Sequence, residues 1–383
     1  MVADASDHPH RRAESRGRRG LVRPFATGLT GKRSAEDGLA RPRQARDAGC
    51  QVDIDAADDG EGRENGKCHT RHSTGVDDAV ALGYLLASPA VRLVGIGTVS
   101  GNLASAPAAR NTLDLLALAG QPDVPVAIGA HDHLSHGFGG GAPHVHGANG
   151  IGDVELPRSN REPRDGHAVD LLLDLSHDFA GELEIVAIGP LTNLALALRA
   201  DPTLTERIRS VTIMGGAGVA AGNISPVAEA NIGNDPEAAA DVFAADWDVT
   251  LVPLDVTMEH TLEEADRETL LAANAPFPRA LGQILDHYFD FYEPTYGRRM
   301  CALHDPLAAA LAVGDVTATR APLVPITVDT SAGPGRGQTI ADLRNQRLGD
   351  LHHDGHRTRF VREIDRPLGP HLVEVLTGMT SPS

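Results

Sequence analysis

Three short segments carry the side chains most able to do chemistry. The stretch Asn223-Ile-Ser-Pro-Val-Ala-Glu229-Ala-Asn231-Ile-Gly-Asn-Asp235-Pro-Glu237 gathers amides and carboxylates without a lysine or arginine. A solvated surface mixes charge signs, and a core segment cannot carry so many polar groups unless each finds a partner. This density of donors and acceptors suits a ligand rich in hydroxyl groups, such as a sugar. The plainer alternative is a polar loop that caps a helix starting near Pro236. Thr74-Gly-Val-Asp77-Asp78 sets two adjacent carboxylates at the start of an apolar helix, and His304-Asp305-Pro306 sets an imidazole and a carboxylate at the start of another. First-turn carboxylates interact favourably with a helix dipole, and a capping box from Thr74 to Asp77 would account for one of the two acids. A hard cation, which takes roughly six to eight oxygens, accounts for both.

The elements that must position these groups follow from apolar periodicity. Helical patterns run from Asp78 to Leu86, Ala106 to Ala119, Ala168 to His177, Asn193 to Ala200, Pro236 to Phe243 and Phe277 to Tyr292. Short β-branched runs at 91–99, 124–128, 183–189, 211–214 and 249–254 read as strands between them. Strands alternating with helices imply βαβ units, hence an α/β fold with a mainly parallel central sheet flanked by helices. Ligands of such sheets bind beyond the carboxyl ends of the strands. Asn102, Ile188 and Asn223 each follow a strand and fall in that zone. Tyr288 and Tyr292, four residues apart, share one face of their helix. The glycine-rich stretch Gly137 to Gly152, which contains His144 and His146, reads as a long loop and a candidate flap over the site.

Composition narrows the class. The chain has 383 residues and a net charge of −18, which argues against nucleic acid or an anionic membrane as the main partner. With 41% apolar residues there is no uninterrupted run of membrane-spanning length. Cys50, Cys68 and Cys301 are too widely spaced for a disulfide framework or a Cys-x-x-Cys metal site, and a reducing cytoplasm is the simplest compartment. Residues 1–72 hold 14 Lys+Arg against 12 Asp+Glu, about +2, whereas the remainder holds 20 against 40, about −20. The first segment has no sustained apolar periodicity and no signal-peptide core, so residues 1–72 read as disordered or non-native, followed by one domain over 73–383.

From Thr74 onward the ordered motifs, together with Gly337-Gln-Thr-Ile-Ala-Asp342-Leu-Arg, resemble the inosine-uridine preferring nucleoside hydrolase family. The resemblance implies a Rossmann-like nucleoside hydrolase fold that cleaves the N-glycosidic bond of ribonucleosides to free base and ribose. It implies Ca²⁺ held by Asp78, Asp305 and the backbone carbonyl of Ile188. It implies that Asp77, Asn102, Asn223, Glu229 and Asn231 hold the ribose, with His146 on the flap. Tyr288 and Tyr292 would lie by the leaving base, and His304 would be its general acid. A small nucleoside substrate and a homodimer or homotetramer complete the expectation.

One departure stands at the start of the match. The family's opening strand ends Asp-Thr-Asp-Pro-Gly-x-Asp-Asp, whereas Arg71-His-Ser73-Thr74-Gly75-Val-Asp77-Asp78 stands here. The acid that would ligate the metal and deprotonate water is Ser73. The apolar strand before it is missing or altered. A catalytically impaired nucleoside- or ribose-binding pseudoenzyme is therefore the alternative. Lys67 to His72 can be encoded so that a displacement of one base reads Ser-Val-Ile-Leu-Asp, a strand and acid of the family type. On that hypothesis residues 1–72 are read out of frame. A genomic sequence without such a frame would exclude it.

Overall fold

The structure, a computed structural model, describes residues 66–72 and 74–381, the first seven as backbone. The expectations for residues 1–65 and for Ser73 lie outside the described residues.

Among the described residues, seven strands form one parallel sheet: β1 (Gly66–His72), β2 (Val91–Thr98), β3 (Val126–Ala127), β4 (Leu183–Ala187), β5 (Ile208–Met214), β6 (Val249–Val252) and β12 (Thr358–Phe360), in the order β12-β6-β5-β4-β1-β2-β3. The expected α/β architecture is present. Helices α1 (Val76–Ala87), α2 (Ser105–Leu118), α4 (Ala168–Asp178), α5 (Thr192–Ala200) and α7 (Pro236–Ala244) follow the strands, with short α3 (Pro143–His146), α6 (Ala230–Asn234) and α8 (Leu254–Thr257) near strand ends. The C-terminal half adds α9 (Glu264–Leu271), α10 (Pro276–Tyr296), α11 (His304–Val313) and α12 (Leu368–Thr377). Three antiparallel pairs complete it: β7 (Thr261–Glu263) with β8 (Met300–Ala302), β9 (Ala318–Arg320) with β13 (Glu363–Ile364), and β10 (Ile326–Val328) with β11 (Thr339–Ala341).

Side-chain alternation divides the core between the two faces of the sheet. Leu183, Ile185 and Ala187 of β4 enter one apolar cluster with Val211, Ile213, Val249 and Leu251, against α4, α5 and α7. Val186, Met214 and Val252, and Ile188 just beyond β4, enter the other, against α1, α10, α11 and α12. With one face apolar toward each helical layer, the sheet cannot slip register by one residue without exposing both sets.

The opening strand, expected to be missing or altered, is present with an altered sequence. The backbone of β1 pairs with β2 from Gly66↔Val91 to His72↔Thr98, and with β4 from Lys67↔Leu183 to Arg71↔Ala187. Backbone N–H and C=O groups make these ladders whatever the side chain, so a polar sequence does not prevent pairing. The position also sets the site. Strand order runs outward from β1 in both directions, and a crevice opens at the carboxyl ends where the order reverses. Asp77 and Asp78 follow β1, Asn102 follows β2, Ile188 follows β4, and Asn223 and Glu229 follow β5.

Among the described residues, no helix is long and apolar enough to cross a membrane.

Candidate active site

Helices α1 and α11 begin side by side and bring three carboxylates together. One oxygen each of Asp77, Asp78 and Asp305 lies within 4.8 Å of the others, and all three residues are buried. Close packing at the β1–α1 turn makes this possible. A Cβ on Gly75 would stand 2.5 Å from Asn102 Nδ2 and 2.9 Å from both Asp78 Oδ2 and His146 Nδ1, so only glycine fits there. Asp78 Oδ2 accepts the Gly75 N–H at 2.7 Å and Asn102 Nδ2–H at 3.2 Å. The first-turn cap is thus made by Asp78, not by Asp77 as the Thr74-x-x-Asp77 spacing suggested. The hydroxyl of Thr74 instead donates to the Ala108 carbonyl at 3.0 Å.

The electrostatics of the trio point to a cation. Burial, then the charges of Asp77, Asp78 and Glu229, push the Asp305 carboxyl well above the ordinary carboxylate range. Burial also raises Asp77, against the opposing pull of His304. Asp77 Oδ1 is buried without a hydrogen-bond partner, and Tyr288 donates to Oδ2 at 3.4 Å. An orphaned buried carboxylate oxygen is costly, and a hard cation removes both that cost and the mutual repulsion. The residues present fit a metal.

Two of these acids, Asp77 and Asp305, line a cavity of about 400 Å³ together with Asn102, His146, Ile188, Asn223, Glu229, Asn231, Tyr288, Tyr292 and His304. No lysine or arginine is among its described lining residues. Apart from Asp78, every site residue read from the sequence lines this one cavity. The segment Gly337–Arg344 does not: Gln338 bridges to Ala228 and Asp342 pairs with Arg344.

Glu229 caps α6. Its Oε1 accepts from Asn231 N–H at 2.8 Å, and its Oε2 from Gly216 N–H at 2.8 Å and Ile232 N–H at 3.1 Å. The expected cap of the helix at Pro236 is made by Asp235, whose Oδ1 accepts Ala238 N–H at 3.1 Å, while Glu229, the cap of α6, also lines the cavity. Asn231 Nδ2 donates to the Met214 carbonyl at 3.1 Å, and Asn223 Oδ1 accepts Ala230 N–H at 2.8 Å.

Next to Asp305, His304 Nδ1 is 2.8 Å from Thr257 Oγ1 and Nε2 is 2.9 Å from the Tyr292 hydroxyl. Burial lowers the His304 pKa, which leaves a neutral ring bonded at both nitrogens. The glycine-rich segment contributes Ala142, His144, Val145 and His146 to the lining. His146 stacks on Tyr288, with centroids 5.4 Å apart and planes 25° apart. Its Nδ1 accepts the Val76 N–H at 3.2 Å. The 3.9 Å approach of that nitrogen to Asp77 Oδ1 is therefore no ion pair, because Nδ1 is already used as an acceptor.

This geometry has a pH consequence. Burial lowers His146 from the ordinary 6.5 to about 3. Between those values the unfolded chain binds the extra proton and the folded one does not, so stability is full above 6.5 and falls as pH drops toward 3. Urea unfolding at pH 5 should show a loss of about 2 kcal/mol from His146 relative to pH 7, and His146→Asn should lack that share. Equal pH dependence in both proteins would exclude it.

Sequence reasoning missed Ile224, Met258, Phe291 and Tyr296, which also line the cavity. Phe291 and Tyr296 could have been found, because α10 continues to Tyr296 and carries them beside the tyrosine face. Met258 had no signal, since it follows the short α8, which periodicity cannot resolve.

A parallel sheet with an acidic cavity of about 400 Å³ at its switch point defines an α/β protein with a site for a small polar ligand, and comparison with known proteins makes this specific. Residues 72–368 match the family model described as inosine-uridine preferring nucleoside hydrolase. The inosine-uridine preferring nucleoside hydrolase of Leishmania major is 37% identical over 279 residues, covering 71% of this chain and 86% of that protein. Uridine nucleosidase 1 of Arabidopsis thaliana is 37% identical over 234 residues, 61% of this chain and 70% of that protein. Among solved structures, a plant nucleoside hydrolase superposes with a TM-score of 0.75 at 31% identity, covering 82% of this chain and 98% of that one. A purine-preferring ribonucleoside hydrolase from Gardnerella vaginalis gives 0.74 at 33%, with coverage of 82% and 98%. The chain belongs to the inosine-uridine preferring nucleoside hydrolase family and is a ribonucleoside N-glycosyl hydrolase.

Proposed function

We propose that this chain hydrolyses purine and pyrimidine ribonucleosides to free base and ribose in a Ca²⁺-dependent reaction. The observation that carries the reading is that Asp77 and Asp305, whose carboxylates meet that of Asp78, line a single cavity together with Asn102, Glu229, Asn231, Tyr288, Tyr292 and His304. Asp78, Asp305 and the Ile188 carbonyl would hold the cation. Bound there, it would supply Lewis acidity among hard oxygen ligands.

The remaining chemistry belongs to the chain. Asp77, Asn102, Asn223, Glu229 and Asn231 orient the ribose through its hydroxyls. As the glycosidic bond stretches, positive charge develops on the ribose, and the Asp77 and Glu229 carboxylates face it. Tyr288 and His146 offer stacked rings to the departing base. The hydrogen-bonded Tyr292–His304 pair donates the proton the base requires, and the neutral state of His304 suits a group that passes a proton on and regains it. The attacking water needs a base. The family pattern puts one at residue 73, where serine stands, and this favours the second reading, a pseudoenzyme that binds nucleoside or ribose without turnover.

The test is release of base and ribose from inosine and uridine, with Ca²⁺ and with chelator, alongside calorimetric binding of the same nucleosides. Turnover abolished by chelation is the expected result. Binding without turnover selects the pseudoenzyme, and neither binding nor turnover overturns both readings.

A further inference from the structure

Between β5 and Asn223 the chain reads Gly215-Gly-Ala-Gly-Val-Ala-Ala-Gly222. No side chain in these eight residues can make a hydrogen bond. Four glycines make the segment costly to order. Yet it delivers Asn223 and Glu229 to the cavity, so its conformation must be imposed from outside.

The geometry points to Asp255 as the residue that imposes it. Asp255 lies on α8 and does not line the cavity. Its Oδ2 accepts Gly218 N–H at 2.8 Å, and its Oδ1 accepts Val219 N–H at 2.7 Å and Ala220 N–H at 3.2 Å. Three successive amides thus enclose one carboxylate, an arrangement that favours negative charge, and charge-assisted bonds are the strong ones. The adjoining backbone completes the clamp, with Leu254 N–H donating to Gly216 O at 2.9 Å and Gly216 N–H donating to Glu229 Oε2 at 2.8 Å. Gly216 sits at φ 79°, in the left-handed region, with a virtual Cβ 2.7 Å from Thr339 Oγ1, so the turn between the two carboxylates is fixed by close packing as well. Asp255 is a positioning residue: it holds 218–220, which holds Gly216, which orients Glu229 and, beyond the turn, Asn223. This rests on the proposed role of Asn223 and Glu229 in holding ribose.

The test compares Asp255→Ala, Asp255→Asn and Asp255→Glu with the parent chain by amide hydrogen exchange and by kinetics on inosine and uridine. In the alanine and asparagine variants, exchange at Gly218, Val219 and Ala220 should rise while β5 stays protected. KM should rise roughly tenfold or more, equally for both nucleosides because the ribose is common to them, with a smaller change in kcat. Asp255→Glu, which keeps the charge, should recover part of the loss. Unchanged exchange at 218–220, raised exchange with unchanged KM, or loss of β5 protection in every variant would each overturn the inference. If the parent chain turns over no nucleoside, the proposed function fails separately, and exchange together with calorimetric ribose binding decides the role of Asp255.

Discussion

Replacing Asp305 with alanine is expected to lower kcat/KM for inosine by about three orders of magnitude, the equivalent of roughly 4 kcal/mol of lost metal-centred stabilisation. Asp305 is 2% exposed and completes the trio with Asp77 and Asp78. The same variant makes a second, opposite prediction. In chelator, three buried carboxylates repel one another, and Asp305 is raised by burial and by Asp77, Asp78 and Glu229. Removing it relieves that repulsion, so the metal-free variant should melt no lower than the metal-free parent. Adding Ca²⁺ should then stabilise the parent, by about 2.7 kcal/mol at a hundredfold excess over Kd, and leave the variant unmoved. Thermal unfolding with and without the ion reads both effects. A variant as responsive to Ca²⁺ as the parent would remove Asp305 from the metal site whatever its activity.

The second large effect concerns Ser73→Asp. On the family pattern a carboxylate at residue 73, in place of a neutral hydroxyl, would add a charge to the proposed hard-cation site and a base for water, and a positioned base contributes roughly two to four orders of magnitude of rate. Turnover of inosine should rise by that factor in the variant. A change smaller than about threefold in an already active chain would show that another group serves as the base. Replacing Lys67-Cys-His-Thr-Arg71 by Ser-Val-Ile-Leu-Asp alongside it should raise the melting temperature. The backbone of β1 is paired on both edges, between β2 and β4, and central strands of parallel sheets take near-continuous Val, Ile and Leu. The following turn is unusual too, for Thr74 adopts φ 41°, which a β-branched residue avoids. If the double replacement melts no higher, the out-of-frame reading of the first segment loses its physical support.

Much of the fold was legible because its signals are local. The runs at 91–98, 183–187 and 249–252 are short, apolar and β-branched, and the first two are each followed by a helix of clear period, so the βαβ repeat and the parallel sheet follow. Elements too short to carry a period were not legible, among them α8, β7 and β12. Strand β1 escaped for a different reason: its residues carry no strand pattern, and only pairing with β2 and β4 reveals it.

For the site, polar groups concentrated beside apolar elements drew attention to Asp77, Asp78, Asn223, Glu229, Asn231, His304 and Asp305, and the family resemblance added Asn102 and the roles of all of them. What only the tertiary structure decided is which of those groups face one another and which are already engaged. It assigns the α1 cap to Asp78, leaves Asp77 Oδ1 without a partner, binds both nitrogens of His304, and uses His146 as an acceptor for the Val76 amide. It also shows that Asp255, far from the motifs and outside the cavity, gathers the amides of a segment with no polar side chains of its own. Spacing along a chain reports which groups an element can present, whereas burial and hydrogen-bond partners arise only when distant elements meet, and they set the charge and the freedom of each group.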